Sequence, residues 1–505
     1  MAPESVSISR RREDVVAQLT SERFDLLVIG AGAIGSATAW AAARAGARVA
    51  VVDAHDLAGA TSSASSKLLH GGLRYLAMGD LRLVREAHHE RWFNATVVAP
   101  HLVEPLPFVV PLAGSRLESA RLRTGVALYG ALSRWRDGHS GGVALAEAQR
   151  RAPGLAIDRL RGALVYHDHR TDDARLTLSA LSAAAALGAC VANHLEVVAL
   201  PNAGGRIVGA ELRDQLSGAT IEVQATTVVN ATGPWVDHVR LLEDPQAAPS
   251  VRLAKGVHLL LDCDEPWSAA VTTPLPDGRV TFAIPWHGKL MLGTTDTPYD
   301  GDPAVVAADD QDEHQILREA AISLLPETIR PERIRARFAG LRVLPLGDGK
   351  TSGARRETVI SRGRGGMLSV AGGKLTTWLH IGAQVAAEAL QGFAAVPPGP
   401  VPSAVDPIGF AGELAGRFPT VSEAVRARLI RRYGADAVAI LTRAGGSPTY
   451  LAEAPELLTA EITHLVDHEW VVDADDAIRR TGLWINGPVS APVRAELARL
   501  VAQQV

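Results

Sequence analysis

Residues 24–53 read FDLLVIGAGAIGSATAWAAARAGARVAVVD. The first seven, Phe24 to Gly30, are an apolar run rich in β formers, which predicts a buried strand. Ile34 to Ala45 is Ala-rich and predicts a helix, and Ala47 to Asp53 predicts a second strand. At the first junction stand Gly30, Gly32, Ile34 and Gly35. Glycines there allow a tight turn and a close approach of backbone to a pyrophosphate, whose charge the helix N-terminus favours. Asp53 closes the second strand roughly 20 residues on, where a carboxylate can bind ribose hydroxyls. Strand, helix and acid together predict a dinucleotide site, whereas a purely structural glycine turn would not need the acid.

Immediately downstream, residues 61–76 read TSSASSKLLHGGLRYL, a hydroxyl run followed by a Lys, a His, a Gly pair and an Arg-Tyr pair. A second Rossmann half does not need these residues; a flavin site beside an anionic substrate does. The GxGxxG pattern has no second copy in the right context, because Gly363-Arg364-Gly365-Gly366 lacks the spacing and the helix. Two readings remain open here: NAD in a plain dehydrogenase, or FAD with the substrate supplying the electrons. Asn230 to Trp235 (NATGPW) favours FAD, since a strand ending in Ala231, Thr232 and Gly233 brings backbone close to a nucleotide. Gly372 to Thr377 (GGKLTT) lies between another predicted strand and helix, where amides can stabilise a reduced flavin and Lys374 can reach flavin or substrate.

Composition narrows the classes. The chain has 505 residues, 47% of them hydrophobic, and a net charge of −4, which argues against a nucleic-acid binder. Cys190 and Cys263 lack ligand spacing, which fits a reducing compartment and offers no disulfide framework, Cys-rich metal site or covalent flavin link. No metal is expected, and Asp473, Asp475 and Asp476 read as a solvated helix face. No run reaches the roughly 18 apolar residues of a spanning helix. Residues 1–20 read as a solvated arm, 21–395 as an oxidoreductase region of interleaved cofactor and substrate subdomains, 396–408 as a Pro-rich linker, and 409–505 as a helical domain. Within the second unit, alternating strands between Lys255 and Thr295 suggest a substrate-side sheet. Residues 116–136 interleave five Arg with Leu, Val, Tyr and Trp, a composition suited to an interfacial helix on anionic lipid. A cap helix with a wet basic face is the plainer reading of the same residues.

The GAGAIG and TSSASSKLLHGGLRYL motifs, TDDARL (171–176), NATGPW, KGVHLLL (255–261), GTTDTPYDGDP (293–303), FAGLRVLP (338–345) and AGGKLTTW (371–378) occur in this order. Together they resemble the FAD-dependent, quinone-linked glycerol-3-phosphate dehydrogenases. EITHLVDHEWVVDADDAIRRT (461–481) resembles that family's helical tail, while LWINGP (483–488) departs from it and bears on oligomer or membrane contacts. The resemblance implies an α/β fold: a Rossmann-like FAD domain of the flavin amine/hydroxy-acid oxidase type, a mixed-sheet substrate domain and a C-terminal helical domain. It implies oxidation of sn-glycerol 3-phosphate to dihydroxyacetone phosphate in glycerol catabolism, with electrons passed to quinone. The alternative acceptor is oxygen, as in a glycerol-3-phosphate oxidase. Non-catalytic flavin binding is the rival from another class.

By the same resemblance His258, Arg342 and Lys374 are catalytic, and Arg74, Tyr75, His258, Arg342 and Lys374 bind substrate. His258 is the candidate base and the two arginines the phosphate ligands. Cofactor contacts are expected from Gly30, Gly32, Ile34, Gly35, Asp53, Thr61, Ser62, Ser66, Lys67, His70, Gly71, Gly72 and Leu73, and from Ala231, Thr232, Gly233, Leu341, Gly373, Lys374, Leu375 and Thr376. A cytoplasmic protein, peripheral on the inner face of the membrane, and a homodimer are the expected setting.

Overall fold

The computed structural model describes residues 12–73, 76, 79–346, 358–445 and 448–504. The strand Arg23–Ile29 is parallel to Val49–Val52 on one side and to Thr220–Asn230 on the other. Cys190–Ala192 and Leu368–Ala371 extend this parallel core, and an antiparallel edge strand brings in Val359–Arg362. Strands buried on both faces read as unbroken apolar runs, which is why VAVV and LLVI carry no alternation. Val28 pairs with both Val51 and Val229, so Gly30, Asp53 and Ala231 leave the sheet at one level. Ligands of open α/β sheets sit at this carboxyl edge.

Three helices cover one face of that sheet: Ala33–Arg44, Asp173–Ala186 and Trp378–Ala389. Their alanines let them pack closely; a Cβ on Gly382 would sit 2.4 Å from the Ala37 Cβ. Trp378 is fully buried beneath them and its indole N–H donates to Asn94 Oδ1 at 3.1 Å. Truncating such a residue to Ala costs about 3–5 kcal/mol.

A second, ten-stranded sheet is mostly antiparallel. Its longest pairing joins Val251–Asp262 to Ile334–Pro345, setting His258 opposite Phe338 and Ala254 opposite Arg342. Among the described residues one pairing is parallel, Ala270–Pro274 on Val103–Pro111, which makes the sheet mixed, as expected of a substrate domain. The helical domain begins at Pro407, capped by Asp406, within what reads in sequence as linker. It has its own core around Leu414, Leu429, Tyr433, Ile440, Leu465 and Leu497. Among the described residues no helix is long and apolar enough to cross a membrane.

Several expectations need correction. The arm expected over residues 1–20 is, from Arg12 onward, a helix to Ser21 that buries Val15 and Leu19, with Arg12 bonded to Asp214 at 2.8 Å. The helix from Arg116 ends at Leu132, short of the 116–136 stretch. Residues 189–200 are two strands, broken at His194, which takes a positive φ of 54°. Asp476 is not on a solvated face. It is buried, bonded by Arg479 at 2.6 Å and facing His194 at 3.2 Å. The segment at 483–488 turns inward: Trp484 meets Phe338 edge-on, 5.5 Å between ring centres, because Ile485 is buried in the substrate-side core.

Candidate active site

At the first strand's end, Gly30 has φ +97° and a Cβ there would lie 2.7 Å from the Ala231 carbonyl oxygen. Gly35 is tighter still, its missing Cβ only 1.9 Å from the Gly30 carbonyl oxygen. These two glycines let the helix and the ATG turn close on the strand end. Gly32 differs: its φ is −75°, and a Cβ would meet only Ser62 Oγ at 3.0 Å. The Ala33 N–H donates to that same hydroxyl at 2.8 Å, and the Ala31 N–H to Asp53 at 2.8 Å. Asp53 also accepts from the His55 N–H at 3.0 Å; burial lifts its carboxyl pKa and these two bonds oppose the lift.

The turn opens on a cavity of about 2030 Å³. Small-molecule sites span roughly 300–1,000 Å³, so this one has room for a dinucleotide and a substrate together. Its wall contains Gly30, Gly32, Ile34, Asp53, Thr61, Ser62, Ser66, Lys67, His70, Gly72 and Leu73. Ala231, Thr232, Gly233, Leu341, Gly373, Lys374, Leu375 and Thr376 complete the cofactor set on the same wall, and His258 and Arg342 lie on it too. Gly35 and Gly71 do not. Gly35 serves helix–strand packing. Gly71 gives its N–H to buried Asp168 at 3.1 Å, and a Cβ on it would strike His88 and Tyr129. Arg74 and Tyr75 lie outside the described residues.

Residues far apart in sequence meet at the inner end. His258 is 3% exposed. Its Nε2 lies 2.9 Å from Ser66 Oγ, and its ring stacks on Phe338 at 4.9 Å and 16°. Nδ1 has no hydrogen-bond partner among the described residues. Burial, and then the charges of Arg342 and Lys67, pull its pKa down to about 3, so the imidazole is neutral. That displaces its ionisation far below the free value of about 6.5 expected of a base working near neutrality. Arg342 is oriented by Asp296 at 2.9 Å, Thr294 Oγ1 at 3.0 Å and the Thr295 carbonyl at 3.0 Å. Gly256 makes room for it, since a Cβ there would lie 2.7 Å from the guanidinium.

Lys67 is buried and donates to Asp173 at 2.5 Å and to the Ser63 carbonyl; its ammonium lies 5.4 Å from the Phe338 ring centre and 5.9 Å from that of Trp286. Thr376 ties its loop to the HGG segment, accepting from the His70 N–H at 3.1 Å. The groups that sequence reasoning passed over are Phe338, Asp296, Thr294 and Asp173. All stand inside the quoted motifs, so the signal was present but carried no obvious reactive role. Arg432, Arg479, Arg480 and Trp484 also line the cavity, from a domain with no assigned role.

Do these residues fit a flavin dinucleotide? The cradle that only glycine allows and the cavity's size both answer yes. His194, Asp473 and Asp476 could crowd a cation, but Asp476 already pairs with Arg479.

Residues 25–379 match the family model of FAD-dependent oxidoreductases. A glycerol-3-phosphate dehydrogenase of Mycobacterium leprae is 36% identical over 95% of this chain and 84% of its own length. An aerobic glycerol-3-phosphate dehydrogenase of Staphylococcus saprophyticus is 35% identical over 74% of this chain and 68% of its own. The crystal structure of the Bacillus halodurans glycerol-3-phosphate dehydrogenase complexed with FAD superposes with a TM-score of 0.75 at 26% identity, covering 98% of this chain and 97% of that one. An L-α-glycerophosphate oxidase of Mycoplasma pneumoniae, at 15% identity and TM-score 0.55, shares the fold alone.

Proposed function

The chain belongs to the FAD-dependent oxidoreductases and, within them, to the glycerol-3-phosphate dehydrogenases, and on that premise we propose that it oxidises sn-glycerol 3-phosphate to dihydroxyacetone phosphate. One observation carries the reading: the dinucleotide turn and the set His258, Arg342 and Lys374 share a single cavity. When bound, FAD would supply the two-electron acceptor for the hydride that leaves the substrate's secondary carbon. The chain's own groups do the rest.

The hydroxyl proton must leave with the hydride, and this reading assigns neutral His258, on the cavity wall, to take it. In the tautomer whose Nε2–H donates to Ser66, the lone pair lies on Nδ1, which is buried and has no partner among the described residues. Phe338 holds the ring plane. The planar guanidinium of Arg342 matches two oxygens of a tetrahedral, dianionic phosphate, and its orientation by Asp296 and Thr294 means little ordering is left to be done on binding. Lys374, at the start of the Leu375–Thr377 turn, adds a point charge at the flavin or the substrate anion. Arg74 and Tyr75 are assigned to the same pocket by the family motif alone.

Quinone is the acceptor this reading favours, reached from a membrane surface. Helix Arg116–Leu132 exposes Leu117 (63%) and Leu128 (41%) beside Arg116, Arg121 and Arg123, and Trp135 (43%) follows it. An apolar ridge among cations suits the anionic inner face of the cell membrane. Anaerobic addition of glycerol 3-phosphate should bleach the flavin and glycerol should not; a quinone should then restore the colour. Bleaching by glycerol alone would contradict the phosphate site, and fast peroxide formation in air without reaction with quinone would make the protein an oxidase.

A further inference from the structure

Asp56 is 2% exposed and lies in the loop that follows Asp53. Its carboxylate is held from the helical domain: by Arg480 at 2.6 and 2.7 Å through both guanidinium nitrogens, and by Arg479 Nε at 2.8 Å. Arg479 also binds Asp476, which faces His194 of the dinucleotide-binding half at 3.2 Å. Two carboxylates thus meet two guanidiniums in a neutral, largely buried set, so losing one member leaves a buried charge short of partners.

The loop so held is the one that shapes the dinucleotide turn. Asp53 takes the Ala31 N–H at 2.8 Å, and the Ala58 N–H donates to the Ala31 carbonyl at 3.3 Å. The Gly59 N–H closes the loop on the Asp56 carbonyl at 3.1 Å. Residues 53–60 all line the cavity, and Arg479 and Arg480 line it beside them. A path of direct contacts therefore runs from Arg480 through Asp56 to both sides of Ala31.

We propose that the helical domain is a working part of the FAD site: seating of Arg479 and Arg480 on Asp56 and tight binding of the adenosine-diphosphate half of FAD are two ends of one coupled equilibrium. Coupling of this kind is reciprocal. FAD steadies the docked domain, and the docked domain tightens FAD.

The test uses the full chain, stripped of FAD and retitrated. Arg480→Gln breaks the buried half of the clasp, and Arg479→Gln, with a side chain 39% exposed, breaks the half least needed for folding. Both should weaken FAD by a factor of roughly 5–150. FAD should also raise their melting temperatures less than it raises the parent's, as mass action requires. Should Arg480→Gln fail to fold, Arg479→Gln decides. A scaffold-only salt bridge would lower apo and holo melting temperatures equally and leave FAD affinity at the parental value; that result in Arg479→Gln overturns the proposal.

Discussion

At the nucleotide end of the cavity, the site is built from backbone: glycines whose missing side chains make the room, in a turn held by Asp53 and Ser62 through the Ala31 and Ala33 amides. At the proposed substrate end it rests on side chains, His258, Arg342 and Lys374, carried by separate strands and turns, with His258 and Arg342 fixed by neighbours such as Ser66, Phe338 and Asp296. The first kind of site lies within thirty consecutive residues and is defined by spacing. The second exists only once the ten-stranded sheet sets His258 opposite Phe338. Substitutions should therefore act in different ways at the two ends: as loss of cofactor or fold at one, as loss of rate with the flavin retained at the other.

The largest effect is expected at the glycines, and it should divide. Gly35→Val drives side-chain atoms into the Gly30 carbonyl and should yield no soluble folded protein. Gly32→Val has ordinary backbone torsions and only Ser62 Oγ in its way, so the chain should fold but purify colourless, which absorbance together with circular dichroism would settle. Yellow Gly32→Val protein would break the claim that this backbone faces the pyrophosphate.

Next in size is Lys67→Met. It leaves Asp173 buried without its ammonium, which costs about 3–5 kcal/mol. A urea midpoint measured on the holoprotein should fall accordingly. No fall would mean that the pair is dispensable, and with it the support beneath Phe338.

How much of this was legible beforehand follows from the same contrast. GAGAIG and Asp53 stand on the wall, or under it, as their spacing requires, because a βαβ unit is local. Gly71 stood in a matched motif, yet it faces Asp168 and Tyr129, since burial of a polar cluster leaves no sequence signature distinct from a ligand contact. The low pKa of His258 was equally hidden. The direction follows from neighbouring cations, but the size depends on complete burial, which nothing in KGVHLLL states. The clasp on Asp56 joins positions over 400 residues apart, and no local pattern announces it.

Arg342→Ala should come third, raising the Michaelis constant for glycerol 3-phosphate and lowering turnover while flavin content stays full. Loss of one charged hydrogen bond is worth about 1.5–3 kcal/mol, roughly ten- to a hundred-fold in kcat/KM. If glycerol and its phosphate ester lost equally in the variant, Arg342 would not be the phosphate ligand.

The most telling expectation concerns His258. With a pKa of about 3, His258 is already deprotonated throughout the range in which the protein can be assayed, so its own ionisation adds no slope to the rate of flavin reduction between about pH 5.5 and 8.5. The direct test is stopped-flow bleaching of the flavin by glycerol 3-phosphate, without oxygen, across that range in the parent and in His258→Ala. The parent's pH profile should contain no ionisation that the variant lacks, and the variant should keep its flavin and reduce it roughly 10²–10⁴ times more slowly. A parental rate in the variant, or a parental rate that rises through an ionisation near 6.5 and loses that rise in the variant, would contradict a buried, neutral His258 as the proton acceptor.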